Sequence, residues 1–91
     1  MDIDWNNDKN ELLKKKRNVS FEMIEEAIHN NKVVAIEKHC NSVKYPNQYL
    51  MHVLLNNYIH TVPFTINDNV IFLKTIFADR KAHRKYKKAI P

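Results

Sequence analysis

Not one residue of this 91-residue chain is glycine, where average usage would give roughly 7%. Glycine is the residue that takes left-handed backbone without a Cβ penalty. A chain without it must turn on the next most tolerant residue, which is Asn. Asn pairs stand where turns are wanted, at Asn30-Asn31 and Asn56-Asn57, and Asn67-Asp68-Asn69 forms a third such cluster. The same absence excludes the Gly-rich phosphate loops of nucleotide-binding enzymes.

These breaks divide the chain into short elements. Ile3 to Trp5 reads as a short edge strand. Asn6 or Asn7 can cap a helix running to about Arg17, with Leu12 and Leu13 facing inward. Its end, Lys14-Lys15-Lys16-Arg17, suits the negative pole of a helix dipole, or alternatively a phosphate. Asn18-Val19 breaks the helix and Ser20 caps a second one. There Phe21, Ile24, Ala27 and Ile28 give the spacing of one buried face.

Val33 to Lys38 reads as a strand, and His39 to Asn47 as a loop stopped by Pro46. Gln48 to Leu55 and Tyr58 to Ile66 form a hairpin about Asn56-Asn57. A last strand, Val70 to Phe77, leads to a helix from about Asp79, as N-cap, to Lys88. Pro63 inside a strand points to an edge or a bulge. The order β-α-α-β-β-β-β-α predicts one α+β domain over residues 1–91. A curved antiparallel meander should pack with two N-terminal helices and a C-terminal one. The core of so small a domain is limited, so a partner or a dimer can add to its stability.

The hairpin sets a register. A two-residue turn places Leu55 opposite Tyr58, Val53 opposite His60 and His52 opposite Thr61. A three-residue turn at Asn67–Asn69 would then pair Val62 with Lys74 and Thr61 with Thr75. Neither sheet face comes out plainly polar, so helices should cover one, and the last helix, a second subunit or a partner part of the other. In this register Lys74 lies near His60, with Tyr58 close by, while His52, Thr61 and Thr75 form a row on the opposite face. Lys74 has an ordinary explanation, snorkelling from a rim or pairing with Glu25, Glu26 or Glu37, and a functional one, holding a phosphate. His60 is either a half-buried structural histidine or an acid/base group able to exchange protons near neutrality. The row on the opposite face reads as a solvated stripe or a second site.

The charge balance narrows the partners. Fifteen Lys and Arg against ten Asp and Glu give a net charge of +5 and a pI of about 9.4. Nucleic acid, an acidic protein or an anionic membrane surface would fit. No apolar run reaches the length of a membrane span, and the acidic start is unlike a signal peptide, so a cytoplasmic protein is expected. The lone Cys40 excludes an intrachain disulfide. No metal or other cofactor is expected, because His39-Cys40 lacks ligand spacing and neither H-E-x-x-H nor C-x-x-C occurs. Lys44-Tyr45 joins a cation to an aromatic ring, a pairing suited to single-stranded nucleic acid, unless Tyr45 merely covers a sheet edge. The final helix holds six cations, and Arg80, Lys81 and Arg84 share one side, as a phosphate surface or a solvated face.

Taken in order, several short segments resemble the BrnT family of toxins from bacterial type II toxin–antitoxin systems. They are D-W-N-N-D-K with L-L-K-K-K-R-N-V-S-F, then K-Y-P-N-Q, V-P-F, F-L-K-T-I and R-K-A-H-R-K-Y, spanning nearly the whole chain. The resemblance implies a RelE-like fold and a ribosome-independent endoribonuclease that cleaves mRNA. It also implies a cognate ribbon-helix-helix, DNA-binding antitoxin, with a dimer or a toxin–antitoxin heterotetramer as the assembly. Similar chains often carry a Ser-Ala-Arg run before the last helix. Here the run is Phe77-Ala78-Asp79-Arg80, so no serine role carries over.

On that implication Lys74 and Arg80 stabilise charge, His60 moves the proton and Tyr58 or Tyr86 positions it. Lys44, Tyr45, Lys81 and Arg84 hold the strand. Two other readings predict the same basic surface: a non-catalytic toxin-fold protein, such as a gyrase inhibitor or co-repressor, and a plain nucleic-acid-binding domain.

Overall fold

A computed structural model describes residues 1–90. Among them six hold a positive φ, and all six are Asn or Asp: Asn18, Asn31, Asn56, Asn57, Asp68 and Asn69. Asn does take the turns that glycine would otherwise make. The elements are β1 (Asp2–Trp5), α1 (Asn7–Arg17), α2 (Phe21–His29), β2 (Val33–Lys38), β3 (Gln48–Leu55), β4 (Tyr58–Asn67), β5 (Val70–Leu73), β6 (Phe77–Ala78) and α3 (Arg80–Tyr86). A 3-10 turn, Lys87–Ala89, follows α3.

Each helix starts on a side-chain cap. The Asn6 side chain accepts the Lys9 N–H at 2.9 Å, Ser20 the Met23 N–H at 3.3 Å and Asp79 the Ala82 N–H at 2.9 Å. Such a cap contributes about 1 kcal/mol. At the β3–β4 turn, Asn56 and Asn57 hold φ of 52° and 63°. Left-handed backbone costs most residues about 1–2 kcal/mol. Asn57→Ala should therefore lower stability by about 1 kcal/mol and Asn57→Gly should not, read as urea midpoints at constant m-value. Equal midpoints for the two variants would refute this account of the turn.

The sheet runs β1-β5-β4-β3-β2, with β6 also paired to β4. The predicted meander is present, but the sheet is mixed: β1 lies parallel to β5, from Asp2 opposite Val70 to Trp5 opposite Leu73. Tight hairpins force antiparallel neighbours. No such turn joins β1 to β5, so its direction is free.

Helices α1 and α2 cover one face. Leu13, Val19, Phe21, Ile24 and Ala27 meet Met51, Val53, Leu55, Val62, Phe64, Leu73 and Ile76 there. Of the expected inward pair, Leu13 is 2% exposed but Leu12 is 42%. Adjacent helical residues stand about 100° apart, so the narrow apolar face takes only one. Buried Asn10 joins the two helices, accepting the Phe21 N–H at 2.8 Å and donating to Glu22 Oε1 at 2.7 Å. Helix α3 covers the other face over Ile59, and its small Ala82 is buried in that contact. The last helix thus takes part of the face left open to it, a second subunit or a partner.

The β3–β4 register is as predicted, with Leu55 opposite Tyr58, Val53 opposite His60 and His52 opposite Thr61. The next register is not. Asn67 pairs with Val70 and Phe64 with Leu73, around a two-residue turn at Asp68-Asn69. Val62 therefore does not face Lys74, nor Thr61 Thr75. A one-residue slip moves a strand's side chains to the opposite faces. The Lys74 N–H donates to the Pro63 carbonyl at 2.9 Å, and the chain then leaves the ladder until Phe77 pairs with Thr61 and Ala78 with His60. This segment holds one residue more than β4 does opposite it, which makes a bulge. The single strand expected over Val70 to Phe77 is two strands for that reason. Pro63 lies in the central strand, not at an edge, and it sits opposite Lys74, where the β4–β5 ladder stops and the bulge begins, because it has no N–H to return the bond that Lys74 gives it.

Candidate active site

His60 stands on β4 opposite Val53 and Ala78. The C-terminal residue of α1 reaches the same place, where Arg17 Nη1 donates to the Ile76 carbonyl at 2.6 Å. Together Arg17, Val19, His60, Ile76, Phe77 and Ala78 line a cavity of about 420 Å³. The Nδ1 of His60 lies 3.0 Å from the Tyr58 carbonyl oxygen. A carbonyl only accepts, so Nδ1 carries the hydrogen and the neutral ring keeps its basic lone pair on Nε2. The guanidinium of Arg17 is a cation with donors beyond the one that Ile76 takes. A proton acceptor and a fixed cation thus share one open cavity.

Tyr58 stands beside this pair. Its ring is edge-on to His60 at 6.2 Å between centroids and stacks on His83 of α3 at 4.2 Å. His83 is itself held, because its Nδ1 accepts the Ile59 N–H at 3.2 Å. The rings of His60, Tyr58 and His83 therefore form a connected series from the cavity to the last helix.

On the opposite face of the sheet a second cavity of about 320 Å³ lies under α3, among Glu37, His52, Asp79, Lys81, Lys85 and Tyr86. His52 is 3% exposed. Its Nε2 lies 2.5 Å from Glu37 Oε2 and its Nδ1 2.9 Å from the Thr61 hydroxyl, which donates to Asp79 Oδ2 at 2.6 Å. The Tyr86 ring lies 5.1 Å from that of His52, and Lys85 Nζ lies 3.6 Å from Glu37 Oε1. The bond to His52, above all, holds the Glu37 carboxyl below its ordinary value. Burial pushes the Asp79 carboxyl up, but its bonds to Thr61 and Ala82 outweigh this and leave it below the usual range.

The row read as His52, Thr61 and Thr75 is thus two-thirds present. Thr75 drops out with the bulge, and its hydroxyl is buried without a partner. Lys74 is exposed and sits opposite Pro63, not beside His60, so the cation of the His60 cavity is Arg17. Glu37 pairs with His52 and Lys85 rather than with Lys74. Tyr86 belongs to the His52 cavity, apart from Tyr58 and His60. Arg80, Lys81 and Arg84 are exposed on α3, Lys81 at the rim of that same cavity. In the loop before β3, Lys44 Nζ stands 5.4 Å from the centroid of the half-buried Tyr45 ring, which rests on His39 at 4.7 Å.

Three placements escape a sequence reading. Arg17 meets Ile76 across 59 positions. Asp79 is legible as a helix cap, but its second carboxylate oxygen finds Thr61 only through the β6 pairing. Glu37 needs the β2–β3 register, which is interrupted between Val33 and Ala35 and is set by no tight turn. Among the described residues no helix is long and apolar enough to cross a membrane. Compared with protein-family models, characterised proteins and solved structures, the chain matches none.

Proposed function

We propose that the chain is the toxin of a bacterial type II toxin–antitoxin pair, a RelE-like endoribonuclease of the BrnT kind. It would cleave mRNA without a metal ion. The observation that carries this reading is the His60 cavity, where an imidazole with a free basic nitrogen stands with a guanidinium. RNA contains its own nucleophile, the 2′-hydroxyl, so the protein needs only to move a proton and to stabilise charge.

In the proposed reaction His60 Nε2 takes the proton from the 2′-hydroxyl. The 2′-oxygen bonds to phosphorus, and Arg17 stabilises the crowded phosphorane. The bond from phosphorus to the 5′-oxygen breaks, and that oxygen takes a proton from water. The products are a 2′,3′-cyclic phosphate and a 5′-hydroxyl end. Tyr58 orients the His60 ring, while Arg80, Lys81 and Arg84 follow the phosphates and Lys44 with Tyr45 holds an unstacked base. A ribbon-helix-helix antitoxin would mask this basic surface.

The test is cleavage of a single-stranded RNA in EDTA by the purified chain, with the fragment ends identified. Cyclic phosphate ends are expected, and intact RNA beside a folded protein would sink the proposal. The corrected register adds a second expectation. Lys74→Ala should keep cleavage within about threefold of wild type, because an exposed side chain away from the cavity contributes little. A loss on the order of a hundredfold would return Lys74 to the reacting centre.

A further inference from the structure

The bonds around His52 need more hydrogens than its neutral form can supply. Three contacts run in series, from Glu37 to His52, from His52 to Thr61 and from Thr61 to Asp79. Each requires one hydrogen. The Thr61 hydroxyl supplies one and a neutral imidazole one more. With both carboxylates ionised, the series is complete only when the ring carries a hydrogen on each nitrogen. Glu37 also meets Lys85 Nζ at 3.6 Å and Asp79 also accepts the Ala82 N–H at 2.9 Å, partners that favour two ionised carboxylates, so the third hydrogen belongs on the ring.

The four residues come from four different elements. Glu37 is on β2, His52 on β3 and Thr61 on β4, and Asp79 joins β6 to α3 as the helix cap. The same cluster therefore ties three strands to the start of the last helix. The other charged or titratable groups in its cavity are Tyr86, Lys81 and Lys85, all from α3.

We propose that Glu37, His52, Thr61 and Asp79 form a proton-dependent clamp that fastens β6 and α3 to the sheet, and that loss of one proton opens it. With one hydrogen left on the ring, one link must fail. If the hydrogen stays on Nδ1, the lone pair of Nε2 faces the Glu37 carboxylate. If it stays on Nε2, Nδ1 takes the Thr61 hydrogen and Asp79 Oδ2 loses its donor. Either way a buried or half-buried polar group is left without a partner, which is costly.

The two directions of pH act oppositely. Both carboxylates have folded values below their unfolded ones. Their contribution is present above the unfolded values near about 4 and fades as pH falls through the folded ones. The hydrogen count sets the other limit, since raising the pH until the third hydrogen is lost breaks one link of the series. The clamp is closed between these limits. Ala78, next to Asp79, lines the His60 cavity, so opening the clamp would loosen that wall.

The clamp stands whether or not that cavity cleaves RNA, because its test reads backbone protection alone. The Ala82 and His83 amides bond to the Asp79 side chain and carbonyl at 2.9 and 2.8 Å. Their hydrogen-exchange protection, corrected for the intrinsic effect of pH, should fall about tenfold or more between about pH 6 and pH 9. In Glu37→Gln the new amide can donate to Nε2, so a neutral ring completes the series. Its protection should change by less than about threefold over the same span, staying at the wild-type level of low pH. Thr61→Val, which cuts the series before Asp79, should be poorly protected at both ends. Constant protection in wild type overturns the clamp. So does a Glu37→Gln profile that follows wild type or starts unprotected, and so does wild-type protection in Thr61→Val.

Discussion

His60→Gln is expected to slow RNA cleavage by about a hundredfold to ten-thousandfold, the usual contribution of a positioned acid/base group. Glutamine can keep a donor for the Tyr58 carbonyl, which His60 Nδ1 meets at 3.0 Å. What it lacks is a nitrogen that takes a proton. The loss should fall on kcat, since proton transfer belongs to the transition state, and the variant should lose the pH dependence that a titrating base imposes. Arg17→Ala should cost about a hundredfold to a thousandfold in kcat, as other lost oxyanion donors do. The two need separate controls, because Arg17 also bonds the Ile76 carbonyl at 2.6 Å and its removal can loosen the bulge. Wild-type kcat in a folded His60→Gln chain would remove this histidine from the reaction.

Phe21→Ala should lower stability by about 3–5 kcal/mol, the range for a fully buried aromatic side chain. Phe21 is 0% exposed, and its ring stacks on Trp5 at 5.7 Å between centroids. Its backbone N–H is the one that Asn10 binds. One residue thus joins β1, α1 and α2, and a cavity there has little freedom to collapse. A domain of this length has roughly 5–14 kcal/mol in all, so the variant should be largely unfolded in mild urea. The measurement is the urea midpoint at an unchanged m-value. A shift worth less than about 1 kcal/mol would mean that neighbouring side chains refill the site.

The legible parts of the fold were those specified by near neighbours. Asn6, Ser20 and Asp79 are caps because each side chain meets an amide three residues on. Asn56-Asn57 sets a register because a two-residue turn leaves the strands no slack. That register brought His52 beside Thr61 and Tyr58 near His60. The misplaced strand also left a trace in the sequence. Leu73 and Ile76, three apart, are both in the core. A regular strand would send them to opposite faces, so a bulge between them is required. Reading Asn67–Asn69 as a three-residue turn hid it and carried Lys74 to the wrong place.

The amino-acid sequence by itself determined near which residues this chain turns, where its helices begin and how β3 pairs with β4. Those choices depend on backbone conformation and on partners a few positions away, and Asn, Ser and apolar periodicity write them locally. Only the tertiary structure decided which cation joins His60, which carboxylates enclose His52 and which face α3 covers. These depend on the meeting of α1 with the bulge, of β2 with β3 and of β6 with β4. Each such meeting is selected by burial across the whole sheet, and no short stretch of residues holds that information.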